Sequence, residues 1–164
     1  MAENKALQTP TDLNRNDTKT VADALNSALA DSFALYFKTK NFHWHVSGPH
    51  FRDYHLLMDD QAAQIYAITD AIAERVRKTG NTTLRSIGDI ARRQSIKDND
   101  AEFVSAPDML VELRNDNLAL VAKLREAKDI VDEAKDNATS GILDEWTDQA
   151  EERAWFLFET SRNA

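Results

Sequence analysis

Cysteine is absent from the 164-residue chain, which also has only four glycines and three prolines. Without cysteine there is no disulfide framework, thiolate metal site or cysteine nucleophile, so any chemistry must use histidines, carboxylates, hydroxyls or aromatic rings. So few glycines and prolines leave too few turn residues for a many-stranded β protein, whereas residues common in helices are plentiful. With 42% apolar residues to build a core, the composition favours one folded, all-α domain.

Positive charge is also in short supply. The 20 basic residues face 28 acidic ones, giving a formal net charge of -8. This balance disfavours a protein that coats nucleic acid or anionic lipid, and it suits metal cations better. No apolar run approaches the roughly 20 residues that span a bilayer, and the first twenty residues lack the apolar region of a signal peptide. We therefore expect a soluble, cytoplasmic protein with no membrane partner.

Four long segments carry apolar residues at three- and four-residue steps and so predict four helices. We expect a flexible tail at residues 1–16 and a bundle domain at residues 17–164. The predicted helices run from about Asp17 to Trp44, from near Phe51 to Gly80, from the capping sequence Ser105–Asp108 to near Asp136, and from Thr139 or Ser140 to the C-terminus.

The segment between the second and third predicted helices is unusually long. It has no long amphipathic run, only the short apolar group Leu84, Ile87 and Ile90, which predicts a short helix. A crossover of this length joins helices that point in the same direction, whereas a plain up-down bundle uses short loops. Four helices with one long crossover in the middle predict a ferritin-like four-helix bundle.

Histidines and acidic residues stand out as candidates for chemistry. On the second helix, His55 and Asp59 are one turn apart, and so are Asp70 and Glu74. At about 100° per residue these four positions form one stripe along the helix. All four histidines of the chain fall within one short stretch, at His43, His45, His50 and His55.

The stripe cannot bind one metal ion within a single chain. Asp59 and Asp70 are roughly 16 Å apart along the helix, whereas bonds to first-row metals are about 2 Å long. Two second helices, antiparallel about a twofold axis near residues 64 and 65, would bring His55 and Asp59 of one chain opposite the two acids of the other and form two identical sites. His43 can join them from the end of the first helix. These nitrogen and oxygen donors suit Fe(II) or Mn(II), with zinc also possible.

Two other interpretations of the stripe are open. A di-iron centre inside the bundle requires Glu-x-x-His motifs. The residues three before the histidines are Lys40, Phe42, Ser47 and Arg52, so the chain has no such motif and this interpretation is disfavoured. The stripe could also form salt bridges and hydrogen bonds between subunits of a structural helical oligomer that binds no metal.

The run KNFHWHVSGPHF at residues 40–51, followed by the stripe, resembles the signature of the Dps proteins, the mini-ferritins named as DNA-binding proteins from starved cells. The resemblance covers residues 17–162. It implies a hollow dodecamer with ferroxidase centres at its twofold interfaces. In each centre, two iron ions would be bound by His43, His55 and Asp59 of one subunit and by Asp70 and Glu74 of the other.

The resemblance also implies a function, which is iron storage and detoxification. Fe(II) would be oxidised preferentially with hydrogen peroxide and stored as ferric mineral. Trp44 would be catalytic, donating an electron to a strong oxidant and confining the radical, although core or interface packing is the simpler interpretation. The acids Asp136, Asp144, Glu145 and Asp148 resemble channel residues of the family or form a solvated polar face.

The alternative function is a nucleoid-associated protein that binds and compacts DNA, with secondary ferroxidase activity. Family members that bind DNA often use lysine-rich tails. In this tail Lys5 and Arg15 are balanced by Glu3 and Asp12. We therefore expect weak DNA binding near neutral pH.

Overall fold

The computed structural model describes residues 5–162, and the first four residues of the predicted tail lie outside this range. Within it, the chain forms five α-helices and a 3-10 turn at Lys5–Leu7, with no β-strand. The helices are α1 (Arg15–His45), α2 (Phe51–Lys78), α3 (Ile87–Arg93), α4 (Ala106–Glu133) and α5 (Asn137–Ser161). The predicted four-helix bundle with a short crossover helix is confirmed, while the flexible tail stays a prediction.

The helix starts follow from local capping. The side chain of Asn14 accepts hydrogen bonds from the backbone N–H groups of residues 16 and 17, so α1 begins two residues earlier than predicted. Ser105 caps α4 as its sequence predicts. The last helix begins at Asn137 because Asp136, which is buried, accepts from the backbone of Thr139.

Side-chain contacts give the directions of the helices. Lys40 on α1 pairs with Asp59 on α2, and Tyr36 contacts Tyr66, so these two helices are antiparallel. In the same way, Lys38 of α1 pairs with Glu112 and Asp116 of α4, while residues 42 and 109 line one pocket nearer the end of α1. Since α2 and α4 are both antiparallel to α1, the crossover joins helices that point in the same direction, as predicted.

The core lies between the four long helices. On α4, residues at three- and four-residue steps form a seam that is buried along its whole length: Leu110, Leu113, Asn117, Leu120, Leu124, Ala127 and Val131. The polar member of that seam, Asn117, is fully buried. Its side chain donates to the carbonyl oxygen of Leu113 and accepts from Nε of Arg153 on α5. No helix among the described residues is long and apolar enough to cross a membrane.

Candidate metal site

The turn between α1 and α2 brings two of the predicted ligands together. Gly48 has φ +113°, a left-handed conformation that favours glycine, and α2 begins three residues later. The chain therefore reverses direction tightly. The imidazole rings of His43 and His55 stack with centroids 3.7 Å apart and an angle of 21° between their planes.

Reciprocal hydrogen bonds hold these two rings. Nδ1 of His43 lies 2.7 Å from the carbonyl oxygen of His55, and Nδ1 of His55 lies 2.8 Å from the carbonyl oxygen of His43. Because a carbonyl oxygen can only accept, each Nδ1 carries the proton in a neutral ring, and each Nε2 keeps its lone pair. This is the arrangement in which a backbone group orients an imidazole that binds metal through Nε2.

Asp59 is the third predicted ligand that lies near this turn. Its Oδ1 lies 3.8 Å from Nε2 of His43 and 2.8 Å from Nζ of Lys40. The hydrogen bond from the Lys40 ammonium is the main cause that holds the pKa of the Asp59 carboxyl below its ordinary value. The site therefore presents an ionised carboxylate beside two imidazoles, with an ammonium group in contact with that carboxylate.

Phe51 contacts the site although the sequence did not predict a role for it there. Phe51 stacks on His55 with ring centroids 5.0 Å apart and an angle of 29°, so His55 contacts both Phe51 and His43. The signal was present in the motif, where Phe51 precedes His55 by one helical turn. Lys40 contacts Asp59, a predicted ligand of its own chain.

The other two predicted ligands lie away from this group. Asp70 and Glu74 are exposed on α2, and the carboxylate of Glu74 is 3.4 Å from Nζ of Lys78. Within residues 5–162, no three or more histidine, aspartate or glutamate side chains converge to hold a metal ion in one chain. The metal assignment of all five residues stays a prediction.

Trp44 lies at the edge of the site, with 54% of its surface exposed. Nζ of Lys40 is 5.8 Å from its ring centroid, and Phe37 contacts the ring edge to face at 6.0 Å. Of the candidate channel acids, Asp144, Glu145 and Asp148 are exposed. Asp136 is instead buried and pairs with Arg75 at 2.8 Å, so its role is to cap and anchor α5.

Comparison with known proteins gives the family. A model of the ferritin-like domain matches residues 22–163. The DNA protection during starvation protein of Brevibacillus brevis is 34% identical over 137 residues, which cover 84% of this chain and 91% of that protein. An uncharacterized low temperature-induced protein of Nostoc sp. is 36% identical over 138 residues, which cover 84% of this chain and 77% of that protein.

A solved structure agrees with these sequence matches. The crystal structure of a Dps protein from Bacillus brevis has a TM-score of 0.87 and 31% identity, with 92% of this chain and 100% of that chain covered. The region matched by the ferritin-like domain model includes the turn that carries the histidines, the crossover and the four long helices except for the start of α1. The chain therefore belongs to the Dps family of ferritin-like proteins.

Proposed function

We propose that the protein stores and detoxifies iron. It binds Fe(II) between two subunits, oxidises it preferentially with hydrogen peroxide, and holds ferric mineral inside a hollow dodecamer. Membership in the Dps family supports iron storage and stress protection in general. The observation that carries the proposal is the pair of oriented imidazoles beside Asp59, on a helix whose exposed surface also bears Asp70 and Glu74.

Iron is the substrate of this site, and the chain supplies its ligands. Nε2 of His43, Nε2 of His55 and the carboxylate of Asp59 bind from one subunit. Asp70 and Glu74 of the partner subunit complete the centre. Two Fe(II) ions give two electrons to one hydrogen peroxide molecule, which takes up two protons and leaves as two water molecules. Because both electrons are delivered, no hydroxyl radical is released, and the carboxylates favour the Fe(III) product electrostatically.

The α2 surface supports the pairing of two subunits. Residues 64 and 65 lie midway between Asp59 and Asp70 along the helix. Beside them, the small residues Ala63 and Ala67 are exposed one turn apart. Small side chains let two helices approach closely, and such an approach is needed if ligands from two chains are to bind the same ion.

Trp44 serves as a reserve electron donor in this proposal. It follows His43 directly in the chain, and its ring is near the Lys40 ammonium that contacts Asp59. When only one Fe(II) is bound, iron supplies a single electron to peroxide. Trp44 supplies the second electron, and the radical stays on the protein.

Peroxide-driven iron oxidation tests the ligand assignment. His55→Ala or Asp59→Ala should lower the initial rate by at least about tenfold, since each removes a ligand and neither removes a core side chain. His45→Ala is the matched control because His45 is exposed and bonds only to the carbonyl oxygen of Asn41 in its own helix. Wild-type rates in both ligand variants would disprove the assignment.

Mixed shells test whether two subunits form each centre. Asp59→Ala chains are co-assembled with chains that carry both Asp70→Ala and Glu74→Ala. Each hybrid dimer then has one complete centre and one that lacks three ligands. Random mixing makes about half of the dimers hybrid, so about a quarter of the wild-type centres should return. Verified mixed shells that show no rescue would contradict the intersubunit site.

DNA protection is the second candidate, because curated relatives such as the Brevibacillus brevis protein are named for it. A nucleoid-associated protein would protect DNA by binding and compacting it, whereas an iron-detoxifying protein protects DNA by removing Fe(II) and peroxide. A gel-shift assay at low salt separates these two modes.

A further inference from the structure

Two of the chain's three tyrosines form a pair between α1 and α2. The ring centroids of Tyr36 and Tyr66 are 5.2 Å apart, and their planes are tilted by 42°. Tyr36 packs partly buried against the core, whereas 57% of the Tyr66 surface is exposed. The proposed iron chemistry does not use either residue.

The pair lies in register with the candidate metal site. Tyr36 precedes His43 by seven residues on α1, and Tyr66 follows Asp59 by seven residues on the antiparallel α2. Seven residues are two helical turns, so both phenols lie about 10 Å along the helix axes from the site, in the same direction. No other pair of tyrosines is in ring contact among residues 5–162.

We propose that Tyr36 and Tyr66 form a redox-active pair, which reduces hydrogen peroxide through the bound iron after the Fe(II) of the site has been consumed, and then couples to an intrachain dityrosine. The inference rests on the proposed ferroxidase function, because bound iron carries the electrons from the phenols to peroxide. Each phenol loses one electron and one proton. The two electrons and two protons convert one hydrogen peroxide to two water molecules, and the phenoxyl radicals join through a carbon–carbon bond between their ortho positions.

Ring contact is the reason that coupling within the pair is favoured. Two radicals on neighbouring rings need only small side-chain rotations to react, while a radical on an isolated tyrosine has no phenol to meet. Tyr54 provides the contrast, since its ring contacts His50 at 5.6 Å and not another phenol. The cross-link would join α1 to α2 close to the site and would record oxidant exposure permanently.

The experiment uses the assembled full-length protein with less than one Fe(II) per site and an excess of hydrogen peroxide. We expect dityrosine fluorescence and, after trypsin, a peptide of residues 20–38 joined to one of residues 53–75 with the loss of two hydrogen atoms. Tyr36→Phe or Tyr66→Phe should each lower the dityrosine yield at least about tenfold, while the ring contact is retained. Tyr54→Phe should give the wild-type yield. With iron in full supply, all three variants should oxidise Fe(II) at the wild-type rate.

Several outcomes would overturn the inference. Rapid iron oxidation without dityrosine would refute the tyrosine pair and leave the proposed function intact, whereas a wild-type protein that fails to oxidise iron would refute both. An undiminished yield in His55→Ala would show that free iron in solution causes the coupling. A cross-link between two copies of Tyr66, seen as an SDS-resistant dimer, would contradict the intrachain pair.

Discussion

Lys40 would compete with a metal ion for the carboxylate of Asp59. Its ammonium lies 2.8 Å from Oδ1 of Asp59, and this hydrogen bond is the main reason that the pKa of Asp59 is lowered. The lysine thus favours the ionised form of the carboxylate. A cation bound through that same oxygen would displace the ammonium.

We predict that Lys40→Met tightens the binding of a redox-inert divalent ion such as Zn²⁺ near pH 7. The gain should be at most about fivefold, since exposed ion pairs are weak. The pKa of Asp59 should also rise toward its ordinary value, so the loss of metal binding on acidification should begin at a higher pH than in the wild type. Calorimetric titration over a pH series measures both effects.

Lys78→Met is the matched control for that experiment. Its ammonium is 3.4 Å from Glu74, and both side chains are about 60% exposed, so a smaller change in affinity is expected. Weaker metal binding in Lys40→Met than in the wild type would show that the ammonium supports the site instead of competing for it.

Arg153 is a charged side chain inside the bundle. It is 1% exposed, its Nε donates to Asn117 at 2.8 Å, and its two Nη atoms have no hydrogen-bond partner within residues 5–162. Burial lowers the pKa of its guanidinium to about 10, so the group is still charged at neutral pH. Asn117 therefore provides the side-chain hydrogen bond that offsets the cost of burying this charge.

Asn117→Leu should destabilise the protein by about 3 kcal/mol, because it leaves a buried cation unpaired. In an Arg153→Met background the same substitution should cost little, since no charge remains to be paired. Urea unfolding of the four proteins at one protein concentration gives the coupling free energy. Additive effects, with no coupling, would show that the Asn117 contact does not offset the burial of Arg153.

At the scale of elements, Asp31 on α1 accepts hydrogen bonds from the crossover. Its carboxylate is 1% exposed and accepts hydrogen bonds from the backbone N–H of Ser95 at 2.5 Å, from the Ser95 hydroxyl at 2.7 Å and from the backbone N–H of Ile96 at 3.0 Å. Nearer the end of α1, Asn41 donates to the carbonyl oxygen of Asn99. These bonds hold the segment between α3 and α4 against the helix that carries His43.

Asp31→Asn should cost about 2 kcal/mol, because an amide replaces a buried carboxylate that accepts three hydrogen bonds. Hydrogen exchange should speed up at the amides of Ser95 and Ile96 more than in the middle of α1. Asp23→Asn, on an exposed position of the same helix, is the control and should leave exchange unchanged. If the amides of Ser95 and Ile96 exchange as slowly in Asp31→Asn as in the wild type, the anchoring role is contradicted.

The sequence predicts the helices well because their apolar period and capping residues are local signals. The apolar period of α4 and the Ser105 cap are confirmed in this way. The start of α5 was harder to predict, since Asp136 acts as cap while Lys135 takes φ +57° without being glycine. The burial of Arg153 could not be predicted, because its segment Glu-Glu-Arg-Ala is typical of a surface and its partner Asn117 is on another helix.

Some features of the candidate site could likewise be predicted from local sequence signals, and others could not. Helical spacing alone identifies the stripe of His55, Asp59, Asp70 and Glu74, and the separation along α2 predicts that two chains are needed. The stacking of His43 on His55 and their crossed Nδ1 bonds depend on the exact turn at Gly48, which a spacing argument does not supply. Which carboxylate Lys40 contacts likewise depends on how α1 packs against α2.

At the scale of the whole molecule, the described part of the predicted tail lies against the end of α2. Nη2 of Arg77 donates to the carbonyl oxygen of Leu7 at 2.8 Å. Gly80 has φ +86°, and a Cβ atom at this position would lie 3.0 Å from the carbonyl oxygen of Thr9. The glycine thus permits the close approach of the segment, and the guanidinium of Arg77 is directed at backbone carbonyl oxygens.

The net charge of the chain determines how strongly the protein binds DNA. With a net charge of -8 per chain, few cationic contacts can release counterions, so binding to linear duplex at pH 7.5 and about 0.1 M salt should be weak or undetectable. Acidification lowers the net negative charge of the protein, so gel-shift affinity should rise as the pH falls. Deleting residues 1–13, which keeps the Asn14 cap of α1, should abolish this affinity if the tail makes the contact. Tight, salt-resistant binding at pH 7.5 that survives the deletion would refute the charge argument and favour direct DNA compaction over iron detoxification.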